Sequence, residues 1–350
     1  MKKQISRRSV VQGIGLGTMG LMTGGLAGIP VAGAQDRFAP LEPLAKAAAK
    51  EGPVVWYETT AAELMQPCIA VFNKRYPNVK IEHVRAIGTG DMVAKVIQES
   101  RAPDKGGDMV STTADQTWGI SSRGLALDVN WTDYGVPANF VPEKFAIICS
   151  HSLFCVIHNT SQVSEADAPK TWDDLTHPRW KGKFGSPAFS HPYAGLVPVM
   201  GEARVDEFMK KLMLNEPILT KSTYTLAQQC ASGELLAAVG LNWTAMPTIQ
   251  KGGPIKIVYP DPYPLSTNYS LITKYSKNVN GAKLFAIWLA TDEGNQAYEK
   301  ATGRGNFFLN TEIAKVKLPR ASEYPIREVP ELAKMIEKYN TMLRRGGAPN

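Results

Sequence analysis

The sequence predicts an α/β fold of two lobes joined by two crossing strands, a clamshell. Strand-like apolar runs alternate with segments of helical periodicity, and helices that cross between strands imply a mostly parallel sheet open at its carboxyl ends. The 350 residues exceed one ordinary domain. Phe145 to Ile157 is an apolar run long enough to leave one lobe and enter another. The proline-rich Pro260-Asp261-Pro262-Tyr263-Pro264 suits the return crossing or a hinge.

The elements follow in order. Pro53 to Tyr57 reads as a buried strand, and Thr60-Ala61-Ala62-Glu63 has the form of a capping box. Leu64, Cys68, Phe72 and Tyr76, with Met65 and Ile69 beside them, give an amphipathic helix that Pro77 ends. Val79 to Val84 alternates as a second strand, and Met92, Val93, Val96 and Ile97 mark a helix. Asp108 to Ser111 is a third strand, followed by a second candidate capping box at Thr113 to Gln116. Beyond the first crossing come a strand near Lys183–Gly185, helices near Tyr193–Met200, Val205–Leu214 and Thr223–Ser232, and strands at Leu235–Leu241 and Ile255–Tyr259. Asn268 to Thr273 resumes a strand, Lys283–Thr291 and Glu293–Thr302 form a helix pair, and Glu331–Leu343 is a terminal helix. The expected division is 35–150 plus 265–315 as one lobe and 151–264 as the other. Residues 316–350 form a C-terminal helical segment packed on the second.

Hydrophobic residues are 44% and charged residues 20% of the chain, which excludes intrinsic disorder and collagen-like repeats. The 39 Lys and Arg against 32 Asp and Glu give +7, but that excess is unevenly placed. Lys2, Lys3, Arg7 and Arg8 precede an uncharged stretch from Val10 to Val31, and Ala32-Gly33-Ala34 offers small residues at a signal-peptidase site. The expectation is a cleaved export signal over residues 1–34, cut before Gln35. Ser6-Arg7-Arg8-Ser9-Val10-Val11 resembles a twin-arginine signal, with Val10 where Phe is common. A membrane span is the rival reading, and the glycines that dilute the stretch weigh against it. Gly15-Leu16-Gly17-Thr18-Met19-Gly20 matches GxGxxG but lacks the preceding strand a dinucleotide site needs. Removing four basic residues and no acidic ones leaves +3 of the +7, with no basic tract for nucleic acid. Cys149 and Cys155 would stand roughly 20 Å apart in an extended strand. These two, with Cys68 and Cys230, are expected as buried free thiols, and no metal-type Cys/His spacing exists.

Three blocks carry a family resemblance. Thr171-Trp172-Asp173-Asp174-Leu175 with His177-Pro178-Arg179-Trp180-Lys181-Gly182-Lys183 resembles a signature of family 1 extracellular solute-binding proteins. These are the receptor subunits of ABC importers, in the group that contains ferric iron, polyamine, thiamine and organophosphate binders. Ala231 to Ala238 and Asn280 to Leu289 resemble two further blocks of that family, so the resemblance covers essentially residues 50–310. It implies a type II periplasmic-binding fold, closing on a small-molecule ligand by hinge motion, and an inner-membrane ABC permease as partner. A periplasmic monomer without a cofactor or bound metal is expected. Trp172, Trp180 and Trp288 read as packing residues and Lys181-Gly182-Lys183 as a solvated turn.

In open α/β sheets the ligand lies beyond the strand carboxyl ends, near helix N-termini. That geometry nominates Tyr57, Glu58, Thr59, Thr60, Thr112 and Thr113 in the first lobe, and Ser186, Ser190, His191, Asn242 and Trp243 in the second. Asn268 and Tyr269 come from the return crossing. Capping duty for Thr60 and Thr113 makes Thr59 and Thr112 the better contacts. Ferric receptors of the group use an adjacent tyrosine pair, and Leu241-Asn242-Trp243-Thr244-Ala245-Met246 has none. Hydroxyls and helix N-termini favour an organic anion such as a carboxylate, phosphate ester or phosphonate. Glu58 with aromatic rings around it leaves a polyamine as the alternative, and a ferric chelate stays open. No HExxH or GxSxG appears among the arrangements a secreted hydrolase would use, so a binding protein is expected rather than an enzyme. A sensor subunit on the same clamshell is the third reading.

Overall fold

The computed structural model describes residues 41–86, 89–102 and 106–346. The expected export signal at residues 1–34 lies outside the described residues. A short helix α1 (Glu42–Ala48) leads into β1 (Val54–Glu58), α2 (Ala62–Arg75), β2 (Ile81–Arg85), α3 (Thr89–Ser100), β3 (Met109–Thr113) and α4 (Ala114–Ser121). The long strand β4 (Ile147–Asn159) then enters the second half. This holds β5 (Phe184–Pro187), α5 (His191–Ala194), α6 (Val197–Met200), α7 (Glu202–Met213), β6 (Ile218–Thr220), α8 (Thr223–Ser232), β7 (Ala237–Leu241), α9 (Asn242–Gln250) and β8 (Ile255–Val258). The return strand β9 (Tyr263–Ile272) leads to α10 (Val279–Leu289), α11 (Asp292–Thr302), β10 (Ala321–Ser322) and α12 (Val329–Arg344).

The strand order is β2-β1-β3-β9-β4-β7-β5-β6, with β8 beside β4 and β10 beside β9. The expected parallel character holds inside each half, where β1 pairs with β2 and β3, and β5 with β6 and β7. It fails at the crossings. Strand β9 runs antiparallel to β3 and β4, and β4 antiparallel to β7 and β8. The sheet is therefore mixed, because the crossing strands β4 and β9 run antiparallel to their neighbours. β4 divides its edges between the halves: Ile147–Leu153 face β9, and Phe154–Asn159 face β7 and β8. All of its 13 residues are buried, including Ser150, His151 and Ser152, which form no turn.

Each half buries its own aromatic core. In the first, Trp56, Phe72, Phe285 and Trp288 meet mostly edge to face, with centroids 4.9–5.2 Å apart for the Trp56–Phe285, Phe72–Phe285 and Phe72–Trp288 pairs. In the second, Trp172, Trp180, Phe184, Tyr193 and Phe208 are buried together, so the tryptophans of the family blocks pack. Lys181, Gly182 and Lys183 are exposed. Helix α12 starts at Val329 beside Ala114 and Trp118 of α4 and carries Tyr339 and Leu343 into the second core. Lys338 on the same helix donates to Glu202 at 2.7 Å and to Asp206 at 2.6 Å, both on α7.

Three local expectations are corrected. Helix α2 starts at Ala62 with Ala61 as an unassisted cap, because the Thr60 hydroxyl is taken by Arg304. Thr113 does cap α4 in position, but its hydroxyl donates to Asp115 instead of receiving an amide. Leu64 is 48% exposed; Met65, Cys68, Ile69 and Phe72 form the buried stripe. The segment after Leu241 is the first turn of α9.

Cys68, Cys149, Cys155 and Cys230 are all free and buried. Burial pushes the Cys149 thiol up to about 12 and the Cys230 thiol likewise. A thiol reagent should therefore leave the native protein unlabelled and modify all four cysteines in denaturant. Rapid labelling of the native protein would show that this interior is open.

Candidate functional site

The carboxyl end of β1 delivers Glu58 into a closed polar cluster. The Arg304 Nη2 donates to Glu58 Oε1 at 2.7 Å and also to the Thr60 hydroxyl. Glu58 further accepts from Thr60 N at 2.6 Å, Thr59 Oγ1 at 3.2 Å and Tyr298 Oη at 3.3 Å. The His83 Nε2 stands 3.8 Å from Glu58 Oε2. Burial opposes the charge on Glu58, yet the Arg304 guanidinium and the surrounding donors hold its carboxyl well below the usual carboxylate range. Burial likewise opposes the charge on Arg304, and the bonded Glu58 carboxylate favours it.

Local backbone chemistry places Arg304. Gly303 ends α11 in the left-handed conformation at φ 73°, where a side chain is disfavoured. A Cβ there would also meet the Cβ of Trp243 at 3.0 Å. The turn therefore sits tightly on the start of α9, and the Arg304 guanidinium lies over the Trp243 ring at 5.1 Å and the Tyr298 ring at 5.5 Å. Arg304 thus touches the β1 end of one half and α9 of the other. Its Nε, and the neighbouring Trp243 Nε1, are buried without a hydrogen-bond partner.

A second space, a cavity of about 40 Å³, is lined in part by Thr113, Asp115, Phe154, His191, Thr267 and Glu323. Glu323 accepts from Thr267 N at 2.7 Å and from Thr267 Oγ1 at 2.9 Å on β9. Burial pushes its carboxyl up to about 7, and those two donors only moderate the rise. His191 has its Nδ1 unpartnered, and burial lowers its pKa against the attraction of Asp115.

The nominated residues divide by where the fold puts them. Glu58, Thr59, Thr60 and Trp243 gather around Arg304, while Thr113 and His191 line the cavity. Tyr57 is turned away: its hydroxyl donates to Glu99 at 2.7 Å and its ring packs against Gly107. Ser186 is bonded to the Tyr193 hydroxyl at 2.6 Å, and Ser190 donates to the Ile336 carbonyl of α12 at 2.8 Å. Asn242 accepts the Leu153 amide at 3.0 Å, pinning α9 to β4. Asn268 donates to Ser152 at 3.3 Å, tying the two crossing strands. Tyr269 is buried with Ile148 and Ile326, and Thr112 is buried in the β3–β9 pairing opposite it. Sequence reasoning missed Arg304, His83, Asp115 and Glu323. For Arg304 the flanking Gly303 and Gly305, just past a helix end, were the available signal.

Two substitutions test these electrostatics. Glu58→Gln leaves a buried guanidinium without its counter-charge and is expected to cost about 3–5 kcal/mol in denaturant unfolding. A loss below about 1 kcal/mol would show the pair to be nearly neutral in its effect. The wild-type contribution of Glu58 is complete above its unfolded value near 4.3 and is lost as pH falls below that. Glu323 acts in the opposite sense. Its folded value of about 7 exceeds the unfolded one, so stability falls as pH rises between roughly 4.3 and 7. Glu323→Gln should flatten that part of the stability–pH curve; superimposable slopes for variant and wild type would refute the assignment.

Comparison with known proteins gives the site its context. Residues 68–317 match the family described as bacterial extracellular solute-binding protein. The chain is 29% identical over 194 residues to an uncharacterized protein of Haemophilus influenzae, covering 51% of this chain and 53% of that protein. It is 27% identical over 227 residues to the major ferric iron-binding protein of Neisseria gonorrhoeae, 58% of this chain and 66% of the relative. The chain thus spans about half to two thirds of the length of these curated relatives. Iron-bound HitA from Pseudomonas aeruginosa superposes with a TM-score of 0.68 at 16% identity, over 82% of this chain and 99% of that one. AfuA from Actinobacillus pleuropneumoniae, a periplasmic binding protein with fructose-6-phosphate bound, gives a TM-score of 0.68 at 22% identity over 84% and 99%. The fold is the type II periplasmic-binding clamshell, two α/β lobes joined by two crossing strands. With the family match spanning most of its length, the chain belongs to the bacterial extracellular solute-binding proteins.

Proposed function

We propose that this protein is the periplasmic receptor of an ABC importer and captures a small organic anion between its lobes. One observation carries the choice of ligand: Arg304 Nε and Trp243 Nε1 are adjacent buried donors with no acceptor. A buried donor left unpaired costs about 1–3 kcal/mol, so an oxyanion that reaches both relieves that cost as it binds. Neither atom can accept, so a cationic ligand gains nothing from them. The carboxylate a polyamine would need, Glu58, is already paired with Arg304.

The relatives named for ferric iron mark the alternative. Asn242-Trp243-Thr244 at the start of α9 carries no adjacent tyrosine pair, which favours the anion over direct ferric binding. The fructose-6-phosphate bound to AfuA is a sugar phosphate, of the favoured class. In this reading residues 35–150 with 265–315 form one lobe and 151–264 the other. The contact set narrows to Arg304, Trp243, Thr59 and Thr60, with Thr113 and His191 at the second cavity. Delivery is to an inner-membrane permease, by a monomer exported with loss of residues 1–34. The enzyme alternative receives no support from a family whose members are binding proteins.

Titration calorimetry with carboxylates, phosphate esters, phosphonates, polyamines and ferric salts decides between these ligands. The expected outcome is binding of one or more anions, and Trp243→Phe, which keeps an aromatic face but loses the N–H together with the pyrrole part of the ring, should weaken the best of them by about 3–10-fold. Binding of polyamines or free ferric ion alone would overturn the proposal.

A further inference from the structure

Beside the Arg304–Glu58 pair stands a second arginine, one without a counter-charge. Arg85 ends β2, in register with Glu58 at the end of β1. Its Nε donates at 3.1 Å to the carbonyl of Thr59, the residue between Glu58 and Thr60. Among the described residues this is its one hydrogen bond, and no carboxylate stands within ion-pair distance of it. The side chain is exposed, and an arginine held at Nε keeps its two Nη groups for an oxyanion. From the second half, Tyr224 on the first turn of α8 meets Trp243 edge to face at 5.4 Å, with 42% of its own surface exposed. Burial raises the pKa of the Tyr224 hydroxyl, and the positive charges of Arg304 and Arg85 both oppose that rise. Both guanidinium groups are thus within electrostatic reach of one hydroxyl.

Resting on the anion reading above, we propose that Arg85 is the charge partner of the solute. The oxyanion group is held between Arg85 and Arg304, and the organic part lies against the Tyr224 ring. Arg304 cannot fill this role alone. Its bond to Glu58 at 2.7 Å makes the pair neutral to an approaching ion, so Arg304 contributes a directed, unpaired Nε–H rather than net charge. Arg85 has no such offset, and its field reaches into solvent and draws an anion in. Once there, a carboxylate or phosphate accepts two parallel bonds from the guanidinium edge. The same charge repels a polyamine.

The test is calorimetry with the carboxylates, phosphate esters and phosphonates of the panel above, at low and at high salt. For each anion that wild type binds, Arg85→Gln is expected to weaken binding by about tenfold or more at low salt. It should also flatten the fall in affinity that salt causes. Arg85→Lys, which keeps the charge, should retain that salt dependence, and so should Trp243→Phe, which changes no charge. Arg85→Gln that binds these anions within about twofold of wild type, with the same salt dependence, would overturn the proposal and leave the anion reading intact. Wild type that binds no anion of the panel removes both.

Discussion

Strand β4 has to serve two sheets at once, and most of the molecule follows from that constraint. Six of its first seven residues pair with β9, with Cys149 skipped at a register shift, and its last six pair with β7 and β8, while it is buried throughout. A strand buried on both faces leaves its polar groups dependent on partners within the protein. The Asn268–Ser152 bond and the Leu153 amide on Asn242 supply such partners where the halves join, whereas Ser150 Oγ and both His158 ring nitrogens are buried without one. The antiparallel return through β9 places the carboxyl ends of β1 and β7 near one another, which is where Arg304 operates.

Arg304 concentrates the electrostatics of the site. A buried ion pair is a weak source of net stability, since desolvation consumes most of the attraction. Its worth lies in what it holds ready. A guanidinium held by Glu58, Thr60 and two aromatic rings has its geometry already set. The unpaired Nε lies beside an indole whose own N–H is also unpaired.

The legible part of this structure was the part written in short-range pattern. Period-two and period-four spacing located the strands and most helices, and the apolar length of Phe145–Ile157 exposed the first crossing. Strand-end geometry nominated Glu58 and Trp243, and both lie at the polar cluster around Arg304. It could not tell which hydroxyls the fold would consume: Ser186, Ser190 and Tyr57 face partners supplied by distant helices. Arg304 was invisible for the same reason, since its carboxylate partner lies 246 positions away. The capping boxes misled because Thr60 obeys that long-range contact rather than its own helix.

The terminal helix has a mechanical consequence. Its 16 residues form a rod of ~24 Å, with Val329 seated beside α4 and Tyr339 and Leu343 sunk in the core against α7. A rod anchored at both ends cannot lengthen. Any rotation that parted α4 from α7 would therefore have to pivot on one anchor or detach the other.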